Sequence, residues 1–186
     1  VTPFLDEPKM PDATTGAVNY DVLGSLIDEQ IERGTDAIVI CGTTGESPVL
    51  SDAEHKKCIE FTVERVAHRV PVIAGTGSND NAYAISLTRH AREAGADGVL
   101  MVTPYYNKTT QRGLVQHYLA VADAVDIPII LYNVPSRTGM GFTAESYLAL
   151  SKHPNINGIK EASGDFSLVA ATRHLCGDEM NIWSGN

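Results

Sequence analysis

The chain lacks any apolar run near the roughly 20 residues needed to span a bilayer. No basic segment followed by an apolar one opens it, so no secretory signal is expected. Cysteine is scarce: Cys41, Cys58 and Cys176 are odd in number, far apart and without C-x-x-C spacing. That argues against a disulfide framework or a zinc site and for free thiols in a reducing cytoplasm. The six histidines form no H-x-H or H-E-x-x-H grouping, so a metal-dependent mechanism is disfavoured and no metal is expected. Basic residues are few, 14 against 23 acidic, and the net charge of -9 is spread without acidic blocks. Solubility follows, with neither nucleic acid nor an anionic membrane as partner. No linker or low-complexity stretch divides the 186 residues, which suffice for one domain with a sizeable core.

What is present is an alternation. Short β-rich apolar runs fall at 37–40, 72–74, 98–102, 129–132, 158–160 and 182–184. Amphipathic helical patterns fall between them at 21–33, 52–68, 82–94, 112–125, 144–151 and 167–175. Ser51 and Glu54 form a capping box, Asn79 or Asp80 caps the next helix, and Thr143 caps another. Gly34, Gly95 and Gly177 mark helix ends. Repeated βα units imply a parallel sheet. Polar residues recur at nearly every strand's C-terminal end: Thr43 and Thr44, Thr76, Tyr105 and Tyr106, Tyr132, Lys160, Ser184. A closed (β/α)₈ TIM barrel gathers such ends around one pit, whereas an open doubly wound sheet uses one switch point. The even spread favours the barrel. With Val1–Phe4 read as the end of a first strand, seven of eight strands are accounted for. The chain is thus expected to be an incomplete barrel.

Four segments carry chemistry. In Asn155-Ile-Asn-Gly-Ile-Lys-Glu-Ala-Ser163, strand alternation puts Gly158, Lys160 and Ala162 on one face. Enclosing such a lysine disfavours its ammonium form and frees a nucleophilic amine. In Ile129-Ile-Leu-Tyr-Asn-Val-Pro-Ser-Arg-Thr-Gly139, an inward Tyr132 would lie on the strand beside Lys160, about 4.8 Å away. Its phenol could relay protons. The loop after it presents Arg137, a guanidinium suited to two-point carboxylate binding. In Cys41-Gly-Thr-Thr-Gly-Glu-Ser47, two glycines permit a tight turn whose N–H groups and hydroxyls could nest a carboxylate. It is not a P-loop, and Gly75-Thr-Gly77 does not complete a dinucleotide fingerprint. Thr103-Pro-Tyr-Tyr-Asn-Lys108 reads as one packed and one projecting ring. Taken singly, each has an ordinary reading: solvated lysine, core tyrosine, surface arginine, loop packing. The helical histidines His55, His68, His90, His117 and His174 read as exposed.

Together, in this order and spacing, these segments resemble the dihydrodipicolinate synthase family, within the N-acetylneuraminate lyase/class I pyruvate aldolase superfamily. The resemblance runs from Val1 to Asn186. It implies a lyase condensing pyruvate with L-aspartate 4-semialdehyde to give 4-hydroxy-tetrahydrodipicolinate, the first committed step of the diaminopimelate route to lysine. It matches Lys160 to the Schiff-base lysine, Tyr132 to the proton-transferring tyrosine, Thr44 to its relay partner and Tyr106 to a tyrosine contributed across a dimer interface. Thr43 and Thr44 match the pyruvate carboxylate site, Arg137 the arginine for the semialdehyde carboxylate, and Gly185 a backbone contact. A homotetramer built as a dimer of dimers is implied, with neither metal nor organic cofactor. Family members continue past the position of Asn186 through an eighth strand and a C-terminal helical region. Ser47, His55, Asn79, Tyr83 and Tyr105 match an allosteric lysine pocket, but lysine-inhibited members have a glutamate where Tyr83 stands. The competing readings are a sister pyruvate aldolase, such as N-acetylneuraminate lyase or a 2-keto-3-deoxy sugar-acid aldolase, and a non-catalytic barrel paralogue.

Overall fold

The computed structural model describes residues 1–8, 16–178 and 180–185. Two short strands, β1 (Phe4–Pro8) and β2 (Gly16–Val18), pair antiparallel as a separate ribbon. Six further strands form one all-parallel sheet in strict chain order. These are β3 (Ile38–Ile40), β4 (Val72–Gly75), β5 (Gly98–Val102), β6 (Ile129–Asn133), β7 (Ile156–Glu161) and β8 (Asn181–Ser184).

Helix α1 (Tyr20–Glu32) precedes the sheet, and helices fill its five crossovers: α2 (Asp52–Val66), α3 (Asn81–Ala94), α4 (Gln111–Ala124), α6 (Ala144–Leu150) and α7 (Phe166–Cys176). The short α5 (Pro135–Thr138) follows β6. Local chemistry sets their ends. The Ser51–Glu54 capping box is formed, and Asp80 rather than Asn79 caps α3, accepting from the Ala82 and Tyr83 N–H groups. Gly95 ends α3 in the left-handed conformation that its missing Cβ permits.

Parallel neighbours without reversal wind the six strands into a half-barrel. The two sheet faces carry separate cores. Ala74, Val99, Met101, Ile129, Leu131 and Ile159 pack against the helices. On the opposite, inner face, Leu100, Tyr132 and Val134 form a second cluster with Ile73, Val102, Ile130 and Ala162. A sheet covered on both faces explains why β5 and β6 read as continuous apolar runs. Valine 39 and Trp183, on the outermost strands, remain half exposed, at 50% and 51%.

The expected first strand at Val1–Phe4 is a correction. Among the described residues, Val1–Pro3 joins no ladder and Phe4 begins the antiparallel ribbon, so the parallel sheet has six strands, not seven. Pro3 has no N–H to donate. The segment is held by one backbone and one side-chain bond: the Pro3 carbonyl accepts the Asn19 N–H at 2.9 Å, and the buried Thr2 hydroxyl donates to the Gly45 carbonyl at 2.6 Å.

Candidate functional site

The sheet register decides what Lys160 meets. Val102, Tyr132, Lys160 and Trp183 are successive partners across β5–β8, so their side chains share the inner face. The half-buried Lys160 places Nζ over the Tyr132 ring, 4.4 Å from its centroid. The small residues expected around the lysine have specific reasons to be small. A Cβ on Gly158 would lie 2.8 Å from the Trp183 ring. The indole therefore occupies the floor beneath the lysine, a wall that the strand pattern alone did not single out. A Cβ on Gly185 would come within 3.1 Å of Lys160 Cε and 2.8 Å of Ala162 Cβ. The chain after β8 thus presses on the lysine's methylenes, while the Gly185 N–H donates to the Glu161 carbonyl at 2.8 Å.

Across the inner face, the turn after β3 approaches from the other side. Cys41 adopts a left-handed backbone (φ 56°). Its carbonyl lies 2.1 Å from where a Gly75 Cβ would be, so only glycine lets the two strand ends close up. Gly42 then opens a short 3-10 turn, Thr43–Gly45. The turn consumes the Gly45 and Glu46 N–H groups on the Gly42 and Thr43 carbonyls, leaving those of Thr43 and Thr44 at its open end.

Thr43 and Ser47 border two neighbouring spaces. A chamber of about 40 Å³ joins them to Tyr132 and Leu100. A cleft of about 480 Å³ joins them to His55, Tyr83, Tyr105 and Arg137. Arg137 is exposed on α5, which starts at Pro135 and ends at Gly139 in the left-handed conformation. The sequence pattern showed only a loop there.

Other expected residues stay apart. Thr44 is exposed, and no hydrogen bond links it to Tyr132 among the described residues. Tyr106 is 90% exposed on a left-handed backbone (φ 69°) and lines neither space, whereas Tyr105 is the more enclosed of the pair. Asn79 does not line the cleft but donates from Nδ2 to the Tyr105 carbonyl at 3.3 Å.

His55 is a second correction, because it is buried rather than exposed: its Nε2 donates to the Gly75 carbonyl at 2.8 Å. The helical pattern missed this because α2 turns that position toward the end of β4. Burial lowers its pKa and favours the neutral ring. His68 lies beyond the end of α2, exposed, on a left-handed residue. His90 and His117 are half-buried against neighbouring helices, and His174 alone of the five is exposed on a helix. Burial, then the neighbouring Asp52 carboxylate, pushes the Tyr83 hydroxyl up to about 12. Beside Cys58, the buried Cys41 thiol is held well above the usual thiol range, so it stays neutral.

Sequence patterns also missed a polar network directly behind the lysine. Glu161, Asn133 and Tyr147 are buried together on the helix side of the sheet. The available signal was Glu161 itself, an acidic residue inside a strand enclosed on both faces.

A half-barrel of parallel strands and helices, with Lys160 and Tyr132 paired on its inner face, has the architecture of part of a (β/α)₈ barrel. The chain belongs to the dihydrodipicolinate synthetase family, whose model matches residues 4–186. It is 53% identical over 187 residues to the 4-hydroxy-tetrahydrodipicolinate synthase of Thermoanaerobacter sp. (strain X514), covering all of this chain and 60% of that protein. The crystal structure of dihydrodipicolinate synthase from Aquifex aeolicus superposes with a TM-score of 0.94 at 46% identity, over 100% of this chain and 61% of that one. The chloride-inhibited dihydrodipicolinate synthase from Acinetobacter baumannii, complexed with pyruvate, gives a TM-score of 0.92 at 45% identity, over 100% and 61% of the two chains. The chain spans about 60% of the length of the curated relatives it matches.

Proposed function

We propose that the protein to which these residues belong condenses pyruvate with L-aspartate 4-semialdehyde through an imine on Lys160. The observation that carries this reading is Lys160 Nζ lying 4.4 Å from the centre of the Tyr132 ring, on the inner face of a family barrel. The neutral amine attacks the keto carbon of pyruvate. The carbinolamine expels water to give an iminium, with Tyr132 moving the protons and Thr44 serving as its relay partner. The iminium draws electrons from the neighbouring methyl, which gives up a proton to form an enamine. The enamine carbon then bonds to the aldehyde carbon, whose oxygen takes a proton. Thr43 and the adjacent amides hold the pyruvate carboxylate, and Gly185 confines the lysine. Arg137, exposed at the mouth of the cleft, selects an aldehyde bearing a carboxylate.

The complete barrel, on this reading, has eight strands and a C-terminal helical region that cover the half-exposed Val39 and Trp183. On the same reading Tyr106 serves a second subunit's site in a dimer within a homotetramer; its 90% exposure supports this. A reducing cytoplasm suits the free thiols Cys41, Cys58 and Cys176, and no helix among the described residues is long and apolar enough to cross a membrane. The test compares substrates on the protein at its full natural length. Condensation of pyruvate with aspartate semialdehyde should outrun cleavage of sialic acids or 2-keto-3-deoxy sugar acids; the reverse order assigns a sister aldolase.

The cleft also bears on feedback control. Ser47, His55, Tyr83 and Tyr105 line it, Asn79 braces Tyr105, and no carboxylate lines it among the described residues; Arg137 is its charged side chain. The Tyr83 hydroxyl remains neutral near pH 7 and is engaged by Asp52, which does not line the cleft, so the lining itself offers a lysine ammonium group no anion. Free lysine is therefore expected to inhibit weakly or not at all. A lysine titration of condensation activity checks this, and inhibition at low lysine concentration would count against it.

A further inference from the structure

Glu161 ends β7 one residue beyond Lys160, so strand alternation sends its side chain to the opposite, helix-facing side. It is only 7% exposed. An ionised carboxylate in such a place is costly unless every lone pair is engaged. Here four contacts converge on it. Oε1 accepts from Asn133 Nδ2 at 2.9 Å and from the Ser163 N–H at 2.9 Å. Oε2 accepts from Asn133 Nδ2 at 3.1 Å and from the Tyr147 hydroxyl at 2.9 Å. No cation pairs with it among the described residues. Neutral donors alone hold it.

The geometry of those donors says what the carboxylate positions. Asn133 is fully buried and is the β6 partner of Glu161. Its backbone carbonyl accepts the Ala162 N–H at 2.8 Å, and its Oδ1 accepts the Phe142 N–H at 3.3 Å. Asn133 and Phe142 are the two ends of the segment that contains α5 and Arg137. Phe142 stacks on Tyr147 with centroids 4.5 Å apart, and Tyr147 is the residue whose hydroxyl reaches Glu161. One carboxylate thus ties the strand of the lysine to both ends of the arginine segment.

We infer that Glu161 is a positioning residue that sets the reach of Arg137 toward the carboxylate-bearing aldehyde, while leaving imine formation at Lys160 unchanged. This rests on the function proposed above. Asn133 directs Nδ2 at the carboxylate and so leaves Oδ1 for Phe142; exchanging the acceptor for a donor removes the reason for that orientation. The amide of Glu161→Gln would point an N–H at groups that are themselves donors, so the segment between Asn133 and Phe142 should lose its fixed ends.

The experiment uses Glu161→Gln in the protein at its full natural length. Pyruvate trapping by borohydride and the KM for pyruvate should stay within about twofold of the parent, while the KM for aspartate semialdehyde rises by roughly tenfold. Arg137→Ala added to Glu161→Gln should cost far less than it does alone, because the two act through one contact. An unchanged aldehyde KM, or full additivity with Arg137→Ala, would overturn the inference. Equal losses in trapping and in aldehyde KM would do so as well. Should Glu161→Gln fail to fold, Tyr147→Phe removes one donor at nearly constant volume. It should shift the aldehyde KM in the same direction by less, and a folded variant with no shift would overturn the inference equally. Absence of any pyruvate adduct in the parent sinks the reading of the site itself, which keeps the two failures distinct.

Discussion

Lys160→Ala is expected to abolish the covalent adduct that the parent protein forms with pyruvate under borohydride, and to lower kcat/KM by roughly 10³-fold or more. The loss should be this large because, among the described residues, Lys160 brings the only amine to its row of the inner face, whose other members are Val102, Tyr132 and Trp183. The fold should survive. Lys160 makes no side-chain hydrogen bond or ion pair among the described residues, and its removal leaves the glycine and alanine walls in place. Lys160→Arg should be equally inactive, since a guanidinium stays protonated and cannot attack a ketone. Intact-protein mass spectrometry after reduction reads the adduct, and peptide mapping places it. An adduct that persists in Lys160→Ala, or that maps to another lysine, would overturn the assignment.

The second large effect concerns the phenol. Tyr132→Phe keeps the ring packed with Leu100 and Val134 and keeps the face over which Lys160 Nζ sits, so packing and the cation–π contact are retained. Only the hydroxyl is lost. Proton transfers in carbinolamine collapse and enamine formation then fall to water. A drop in kcat of roughly 10²- to 10⁴-fold is expected, equivalent to about 3 to 5 kcal/mol of barrier. The pyruvate adduct should still be trapped, but slowly, because the amine is intact. Stopped-flow measurement of imine formation separates the cases. Unchanged imine formation and turnover would reduce Tyr132 to a packing residue. Complete loss of the adduct would assign it a role in holding the lysine.

The sheet was legible in the sequence because each βα unit carries its own signals: an apolar run, a cap, an amphipathic stretch and a stop. Those are local, and capping at Ser51 and Thr143 forms as their side chains dictate. Lys160 and Tyr132 were legible for a related reason: period-two alternation assigns faces before any partner is known. The ribbon at Phe4–Pro8 was not, because whether an extended segment joins a parallel or an antiparallel neighbour depends on which edge is near. Nor was the burial of His55, which α2 places against the Gly75 carbonyl. Glu161 escaped notice because a strand-end acid looks solvated until Asn133, Ser163 and Tyr147 converge on it.

By itself, then, the amino-acid sequence determined the order of elements, the facing of the lysine and tyrosine, and membership of a lysine-bearing barrel family, because all of these reside in short-range pattern and motif. Only the tertiary structure decided that Nζ lies over the phenol ring and that Trp183 floors the site. It alone showed that a buried carboxylate behind the lysine accepts hydrogen bonds from Asn133, at one end of the arginine's segment, and from Tyr147. Those contacts join residues from different βα units, and strand register, which no single unit encodes, brings them together.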